Sequence, residues 1–245
     1  MKHPKLASTL LYVAMPFFFA SCGGGGAEKK ISADSTTADS TKVVITPKIT
    51  IITTPQDMMV VTHKVSNYTK WKASYDAHDS FRLANGIHSY VIGRGAQDSN
   101  MILVSVKVDD LAKAKTFAKA PSLKQSMQKG GVTGAPSIAF VTMTFQDTAV
   151  ISSDLRSRTT FTVKDWDAWQ KAFQEGKQER IDNGITVRAY GHLTDNDKKV
   201  VLVTALLDTA KAFAYYKSDM LKKRRAASGA IGEPDRFLYR VVQRY

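Results

Sequence analysis

Two histidines, His63 and His78, are the first candidates for chemistry in this sequence. An imidazole titrates near neutral pH, so it suits proton transfer better than other side chains. His63 lies in the β-branched run 58–65, which predicts a strand, and His78 lies in a helical pattern that begins at Asn67. The alternative interpretation is that His63 is a hydrogen-bonded strand residue and that His78 is a solvated helix residue.

The helical pattern after Asn67 places aromatic and basic groups beside His78. Five residues fall at helical spacing and therefore share one face of the predicted helix: Tyr68, Trp71, Tyr75, His78 and Arg82. Such a face can line a ligand site, but aromatic residues at this spacing also form ordinary protein cores. The sequence leaves both interpretations open.

The elements that would position these residues occur twice. Residues 62–145 match residues 160–243 at a constant offset of 98 without a gap. The matches include turn-forming residues whose backbone geometry other residues adopt only at a cost: Gly86/Gly184, Gly93/Gly191, Gly131/Gly229, Gly134/Gly232 and Pro136/Pro234. The sequence therefore predicts a tandem duplication. His63 and His78 occur in one copy only, because Phe161 and Gly176 stand at the matched positions.

Each copy predicts the element order β-α-β-β-α-β, with Gly86 in the left-handed position that closes the first helix and Pro121 interrupting the second. This order is that of a ferredoxin-like unit, an antiparallel sheet with both helices on one face. Two copies can cover each other's bare sheet faces. We therefore expect an α+β protein in which two tandem ferredoxin-like units, residues 58–147 and 156–245, form one intramolecular barrel. Such a protein is expected to be a monomer.

The N-terminus has the layout of a signal peptide. Lys2 and Lys5 precede the mainly apolar run 6–20, which is too short for a permanent membrane span. The run ends in Phe19-Ala20-Ser21-Cys22, which resembles the lipobox of bacterial lipoproteins. We expect residues 1–21 to be removed and Cys22, the only cysteine, to carry the lipid. The alternative is an ordinary secretory signal with an incidental cysteine.

A flexible linker is expected over residues 22–57, because this segment has almost nothing to bury. The bilayer would then be a partner through Cys22, at the cell envelope on the periplasmic face or the cell surface, with the outer membrane as the expected location. The net charge of +13 does not indicate nucleic-acid binding in an exported chain. The basic run 222–225 is either a solvated helix face or a patch for anionic lipid.

The first copy resembles the dimeric α/β-barrel superfamily, which includes antibiotic-biosynthesis monooxygenases. The residues that carry the resemblance are His63-Lys64-Val65, Tyr68, Trp71-Lys72, Arg82, Gly86, Asp110, Ser122, Leu123, Met127, Gly131-Val132, Gly134 and Pro136. The resemblance covers essentially all of the chain after residue 57. Members of this superfamily include cofactor-free oxygenases, haem-degrading enzymes, isomerases and regulators, so it implies the fold more specifically than the chemistry.

The resemblance implies a ligand cavity between the sheet and its helices. It nominates His63 as the catalytic residue and, as ligand-binding residues, Tyr68, Trp71, Tyr75, His78, Arg82, Tyr90 and Arg94. Such a lining suits a planar, phenolic or partly anionic molecule. The expected function is binding of a small aromatic or amphiphilic molecule, and the alternative is a cofactor-free monooxygenase or isomerase with His63 as base. Because Arg82 recurs as Arg180, it can also have a shared structural role.

The two copies are expected to differ at their tryptophans. We predict a polar, ligand-accessible cavity beside Trp71 and a collapsed one beside Trp169, which aromatic neighbours would fill. Arg188, Tyr190 and His192 are an alternative set in the second copy. No metal site or cofactor is predicted, and haem stays open by analogy within the superfamily.

Overall fold

The computed structural model describes residues 49–245, so Cys22, the signal peptide and most of the predicted linker lie outside the described residues. The strands are β1 (Ile51–Ile52), β2 (Gln56–Val65), β3 (Ile87–Gly95), β4 (Met101–Val108), β5 (Val132–Asp147), β6 (Leu155–Val163), β7 (Ile185–Leu193), β8 (Asn196–Leu206) and β9 (Ala230–Arg244). The helices are α1 (Tyr68–Ala77), α2 (Asp79–Ala84), α3 (Leu111–Lys119), α4 (Pro121–Lys129), α5 (Trp166–Glu175), α6 (Lys177–Asp182), α7 (Thr209–Lys217) and α8 (Asp219–Ala227).

The same order of elements occurs in residues 56–147, the first half, and in residues 155–244, the second half. Five helices begin at a side chain that accepts a hydrogen bond from the backbone three residues later, which satisfies a free N–H of the first turn: Asn67, Asp110, Asp165, Asp208 and Ser218. Pro121 begins α4, as predicted. The first predicted helix is divided at His78, where the backbone leaves helical geometry (φ −99°, ψ 13°).

The left-handed position predicted for Gly86 is confirmed, with φ +65°. Its counterpart Gly184 has φ +68°. An added Cβ at Gly184 would lie 2.5 Å from the Cβ of Asp208, so both space and backbone conformation require glycine there. These glycines direct the chain from α2 and α6 into β3 and β7.

All strand pairs are antiparallel, and the order in the sheet is β1-β5-β2-β4-β3-β9-β6-β8-β7. β7 also pairs with β5, for example Val141 with Leu193, so eight strands form a hydrogen-bonded ring. The second contact between the halves is the pairing of β3 with β9. This large antiparallel sheet and its helices make an α+β fold.

Alternating strand residues face opposite sides of the ring. Met58 and Val60 pack with Tyr239 of the second half in the ring interior. Met59 and Val61 pack instead with Trp71 and the helices of the first half. β2 thus separates an interior side from a helix side.

The predicted linker boundary at residue 57 needs correction. Ile51 and Ile52 form a short strand beside Asp147 and Gln146 of β5, and β2 already begins at Gln56. β5 extends beyond the end of β2, and the edge that it leaves free there pairs with the apolar residues of β1. None of the helices within residues 49–245 is long and apolar enough to cross a membrane.

Candidate functional site

A cavity of about 80 Å³ lies between β2, β4 and the helices of the first half, and is called the first cavity below. Its lining is largely apolar, with a few polar side chains: Met59, Val61, His63, Trp71, Ser74, Tyr75, His78, Phe81, Arg82, Val104, Val106, Phe117, Leu123, Ser126 and Met127. Phe81 lines the cavity and is also 40% exposed, so the cavity reaches the protein surface. Four of the predicted ligand residues meet here together with His63: Trp71, Tyr75, His78 and Arg82.

His63 is the chemically unusual residue of the first cavity. Its side chain is 4% exposed, and neither Nδ1 nor Nε2 has a hydrogen-bond partner among the described residues. Burial lowers the pKa of His63 from 6.5 to about 4, so the ring is neutral at neutral pH. The alternative interpretation of His63 as a hydrogen-bonded strand residue finds no protein partner among the described residues. A buried polar group without a protein partner points to a ligand or water.

His78 has a different environment. It ends α1, its Nδ1 lies 2.8 Å from the carbonyl oxygen of Ser74, and its Nε2 lies 2.7 Å from Oγ of Ser126 on α4. Because a carbonyl only accepts, Nδ1 donates to it, and Nε2 forms a hydrogen bond with the Ser126 hydroxyl. His78 is half-buried rather than solvated, and it joins α1 to α4.

Stacked aromatic rings form one wall of the first cavity. The ring centroids of Trp71 and Tyr75 are 5.3 Å apart with planes inclined by 28°, and the His63 ring lies 5.5 Å from Trp71. The Tyr75 hydroxyl lies 2.7 Å from Oγ of Ser89 on β3, which fixes the tyrosine ring against the sheet. The wall is therefore held in place from both the helix and the strand.

Arg82 has a structural role that recurs in the second half. Its Nη1 donates to the carbonyl of Tyr75 at 2.6 Å, and its guanidinium lies 3.7 Å above the Tyr75 ring. Arg180 donates to the carbonyl of Phe173 at 2.8 Å and lies 3.7 Å above that ring. Both arginines thus bridge the break between two consecutive helices.

Three of the predicted ligand residues lie elsewhere. The strand register shifts between Ser89 and Val91, so Tyr90 faces the ring interior instead of the helices. Arg94 lies on the helix side at the end of β3, donates to the carbonyl of Ser99 at 2.7 Å and stacks on Tyr68 at 4.3 Å. Tyr68 contacts Trp71 from outside the cavity, with centroids 5.8 Å apart.

Apart from Arg82 on α2, the sequence reasoning missed the residues that α2, α3 and α4 contribute to the first cavity. Phe81 and Phe117 pack with ring centroids 5.5 Å apart and planes inclined by 39°, and Ser126 and Met127 also line the cavity. Phe117 and Met127 are apolar positions on amphipathic helices, and that pattern was the available signal.

The second half has a cavity of the same size, about 80 Å³, beside Trp169, called the second cavity below. The prediction of a collapsed cavity there is wrong. α8 and β9, which the prediction left out, supply basic side chains that keep it polar: Arg224, Arg225 and Arg236. Arg180 lines it as well. The prediction that the first cavity is the more polar one is therefore also wrong.

The basic run 222–225 is divided between solvent and the second cavity. Lys222 and Lys223 are exposed, whereas Arg224 pairs with Glu179 at 2.7 Å and Arg225 donates to the carbonyl of Gly232 at 2.6 Å. Neither prediction for this run, a wholly solvated helix face or a lipid-binding patch, describes both parts of it.

The alternative set in the second half is only partly brought together, because Tyr190 and His192 both pack on Trp166 whereas Arg188 lies apart from them. Arg188 lies in the ring interior, where it pairs with Asp147 at 2.9 Å. Tyr190 stacks on Phe145 with centroids 5.0 Å apart, and His192 packs on Trp166. The register shift between Val187 and Ala189 turns Arg188 toward the interior, as the matching shift does for Tyr90.

Haem does not fit the histidines of this structure. His63 faces a cavity of about 80 Å³, roughly half of the ~150 Å³ that accommodates a benzene molecule. The ring of His192 is 4.8 Å from that of Trp166, and its Nδ1 lies 2.9 Å from the carbonyl oxygen of Leu193. Within residues 49–245 there is no cluster of three side chains that could hold a metal ion.

Comparison with solved structures supports the fold. Similar structures include a provisionally assigned monooxygenase from Fusobacterium nucleatum, with 13% identity, a TM-score of 0.51 and coverage of 77% of this chain and 93% of that one. An anthrone oxidase-like protein has 16% identity and a TM-score of 0.50, over 79% and 94% of the two chains. A provisionally assigned chlorite dismutase has 15% identity and a TM-score of 0.53, over 77% and 96%.

At these identities the likeness shows the fold alone: an α+β protein of the dimeric α/β-barrel, ferredoxin-like type. No protein-family model and no curated protein matches the sequence. The chemistry must therefore be argued from the cavities themselves.

Proposed function

We propose that the protein binds a small aromatic or amphiphilic molecule in the first cavity and that His63 hydrogen-bonds to it. The observation that carries the proposal is the His63 ring, which is buried in a surface-connected cavity with both nitrogens unpartnered among the described residues. Leaving such groups unsatisfied costs about 1–3 kcal/mol, and a hydroxyl-bearing ligand would remove this cost. Cavity size does not select the first half, since both helix-side cavities measure about 80 Å³.

The state of His63 favours binding over proton transfer. An effective general base has a pKa near the working pH, and burial lowers the pKa of His63 to about 4. A neutral imidazole nevertheless offers one donor and one acceptor, which matches a phenolic hydroxyl. Trp71 and Tyr75 supply the ring faces on which such a molecule can stack.

The size of the first cavity limits the ligand. A volume of about 80 Å³ is smaller than the ~150 Å³ that holds benzene, so an aromatic ring requires side chains to move. Phe81 at the surface end of the cavity is the side chain best placed to do so, because it is 40% exposed. The ligand would then extend from His63 toward solvent.

The test is a calorimetric titration of the purified protein with phenol. Replacing His63 by phenylalanine, the residue at the matched position 161, is expected to weaken phenol binding about tenfold through loss of the hydrogen bond. The matched control is Tyr90→Phe, which the structure places in the ring interior and which should leave the affinity unchanged. Equal affinities for the wild type and His63→Phe would refute the proposal. Mass spectrometry of ligand extracted from the purified protein identifies the natural molecule.

A second candidate is a cofactor-free monooxygenase or isomerase with His63 as base. The observation for it is the unpartnered ring in the cavity, which has a free nitrogen that can accept a proton, although burial makes that nitrogen a weak base. The similar structures assigned as a monooxygenase and as anthrone oxidase-like also suit this chemistry. Oxygen consumption with a panel of phenols tests the oxygenase, and substrate isomerisation is followed by mass-resolved chromatography. Turnover that disappears in a folded His63→Ala variant would replace the binding-only proposal.

We also propose that the two halves are tandem copies that close one α/β barrel within a single chain. The pairings of β3 with β9 and of β5 with β7 support this, because they use the strand edges of both halves. The protein should then be a monomer once any lipid anchor is removed. Light scattering that shows a dimer resistant to dilution would contradict this.

The cellular context remains the lipoprotein proposed from residues 1–22, in which Cys22 anchors the protein to the cell envelope. Cys22→Ser is expected to move the protein from the membrane fraction to the supernatant of lysed cells and to abolish labelling by a palmitate analogue. If Cys22→Ser stays in the membrane fraction although the palmitate analogue is not incorporated, the basic surface and not a lipid holds the protein to the membrane.

A further inference from the structure

The ring interior contains a cluster of four arginines around a cavity of about 70 Å³. This arginine cluster consists of Arg156, Arg158, Arg188 and Arg244, all from the second half. The residues 98 positions earlier line the same cavity or lie beside it and are not basic: Met58, Val60, Tyr90 and Gln146. The interior positions of this fold therefore accept neutral side chains, and basic residues replace them in one half only.

The arginine cluster has fewer carboxylates than guanidiniums. Arg156 is 3% exposed, and its Nη1 donates only to the carbonyls of Ser153 and Leu155, at 2.8 and 3.0 Å. Arg158 donates to Oγ1 of Thr62 at 3.0 Å. Of the described residues that line this cavity, Asp147 is the one carboxylate, and it is paired with Arg188.

Nitrogen atoms of the cluster remain available. The Nε atoms of Arg158 and Arg188 are buried without a hydrogen-bond partner among the described residues, and the Arg188 side chain is 5% exposed. Burial, together with repulsion from Arg244 and Arg188, lowers the pKa of Arg156 to about 10. The guanidinium nevertheless stays charged at neutral pH. Like charges held together in a poorly solvated cavity repel each other unless an anion lies among them.

A path connects the arginine cluster to solvent. Arg156 and Arg244 also line a groove of about 220 Å³ beneath the segment 148–154 that joins the two halves. Arg244 is exposed, so an anion can contact it first and then reach the buried Arg156 and Arg188. The groove leaves room outside the cavity for the rest of a larger molecule.

We propose that the arginine cluster binds a phosphate-type oxyanion, either as the free ion or as the headgroup of an amphiphile whose body lies in the outer groove. Arginine suits this ligand because its planar guanidinium donates paired hydrogen bonds to oxyanions. The site is separate from the first cavity, since β2 carries Met58 and Val60 on its interior side and His63 on its helix side.

The experiment is a titration of the purified protein with inorganic phosphate and with hexyl phosphate at constant ionic strength, which keeps surface screening equal. Arg156→Met and Arg158→Val introduce the residues of the matched first-half positions and should each weaken binding at least tenfold. Lys222→Met removes an exposed positive charge on α8 and should change the affinity by less than twofold.

Thermal unfolding provides an independent measurement on the same variants. Arg156→Met is expected to raise the melting temperature in phosphate-free buffer, because it removes a buried charge without a carboxylate partner. Phosphate should raise the melting temperature of the wild type and leave that of Arg156→Met unchanged. A variant that folds and gains stability thus shows that the lost affinity is not caused by misfolding.

The outcomes distinguish the two sources of the anion. Comparable affinity for both ligands assigns the site to free phosphate, and binding of hexyl phosphate alone assigns it to an amphiphile headgroup. Absence of binding by both ligands overturns the proposal, as does binding that Arg156→Met and Arg158→Val leave unchanged.

Discussion

The first and second cavities occupy matched places in the two halves and have the same volume, about 80 Å³, but their linings differ in chemistry. The exchanges at or beside the cavities pair His63 with Phe161, Phe81 with Glu179, Phe117 with Tyr215, Ser126 with Arg224 and Met127 with Arg225. The first cavity is apolar around one neutral imidazole, whereas guanidiniums border the second. The helices and strands thus set where a cavity lies and how large it is, and a few side chains on them set what it can bind.

The largest expected difference between the halves is in acid stability. The pKa of His63 is lowered by burial to about 4, whereas the unfolded chain keeps a value near 6.5. The unfolded state therefore binds the proton more readily, and stability falls as the pH decreases from 6.5 toward 4. The contribution is about 3 kcal/mol, at ~1.4 kcal/mol for each pKa unit.

Urea unfolding at pH 7 and pH 4 measures this difference in the wild type and in His63→Phe, which resembles the second half at this position. The variant should lose about 3 kcal/mol less than the wild type between these two pH values. Parallel loss in both proteins would mean that His63 is not held neutral by burial.

Arg82 and Arg180 provide a comparison in which the halves should agree. Each guanidinium donates to a carbonyl seven residues earlier and stacks on an aromatic ring. Arg82→Met and Arg180→Met should each lower the free energy of unfolding by about 2 kcal/mol, because each loses its charge-assisted hydrogen bond to a carbonyl. The additional pair of Arg82 with the half-exposed Asp79 should add at most about 0.5 kcal/mol. Clearly unequal losses of unfolding free energy in chemical denaturation would show that the two arginines do not stabilise their helix breaks to the same extent.

Local sequence signals predicted the elements better than they predicted the linings. Asn67, Gly86 and Pro121 act through their own backbone neighbourhood, so their roles as helix start, left-handed turn and helix interruption were readable. The placement of His63 near Trp71 followed from the expected packing of α1 on β2, and the structure brings the two rings to 5.5 Å.

The position of Tyr90 could not be predicted, because counting back from the helix-side residue Ile92 places it on the wrong face. The register shift between Ser89 and Val91 reverses that assignment, and an extra residue in one strand leaves no clear trace in a single sequence.

The lining of the second cavity could not be predicted for another reason. Arg224 finds its partner Glu179 45 residues away, and such a contact requires the packing of α8 against α6 to be known.

Exchanging His63 and Phe161 between the halves should give opposite stability changes. His63→Phe removes two buried, unpartnered nitrogens and should stabilise the ligand-free protein by about 1.5 kcal/mol, and Phe161→His should destabilise it by a similar amount. Both variants are compared by urea unfolding at pH 7. Destabilisation by His63→Phe would indicate that ordered water already satisfies the imidazole in the first cavity.

The smallest expected effect concerns Glu179, which stands where the first half has Phe81. Its carboxylate accepts from the Tyr215 hydroxyl and from Arg224, whose Nη2 lies 2.7 Å away. Burial opposes the charged form, but these two hydrogen bonds prevail and lower the pKa of Glu179. The resulting stabilisation is present above the ordinary carboxyl pKa and is lost as the pH falls through the lowered value.

Glu179→Gln should therefore destabilise the protein by about 1 kcal/mol at pH 7, because the amide keeps a hydrogen bond to Tyr215 but loses the ion pair with Arg224. The effect is limited because the Arg224 side chain is partly exposed to solvent, which weakens the ion pair. The matched control is Asp219→Asn, which breaks the exposed pair with Lys222 and should cost at most about 0.5 kcal/mol. At a pH well below the lowered pKa of Glu179, wild type and Glu179→Gln should unfold at the same urea concentration. Equal effects of the two substitutions at pH 7 would show that Glu179 behaves as a surface charge and that the guanidiniums of the second cavity are not organised by it.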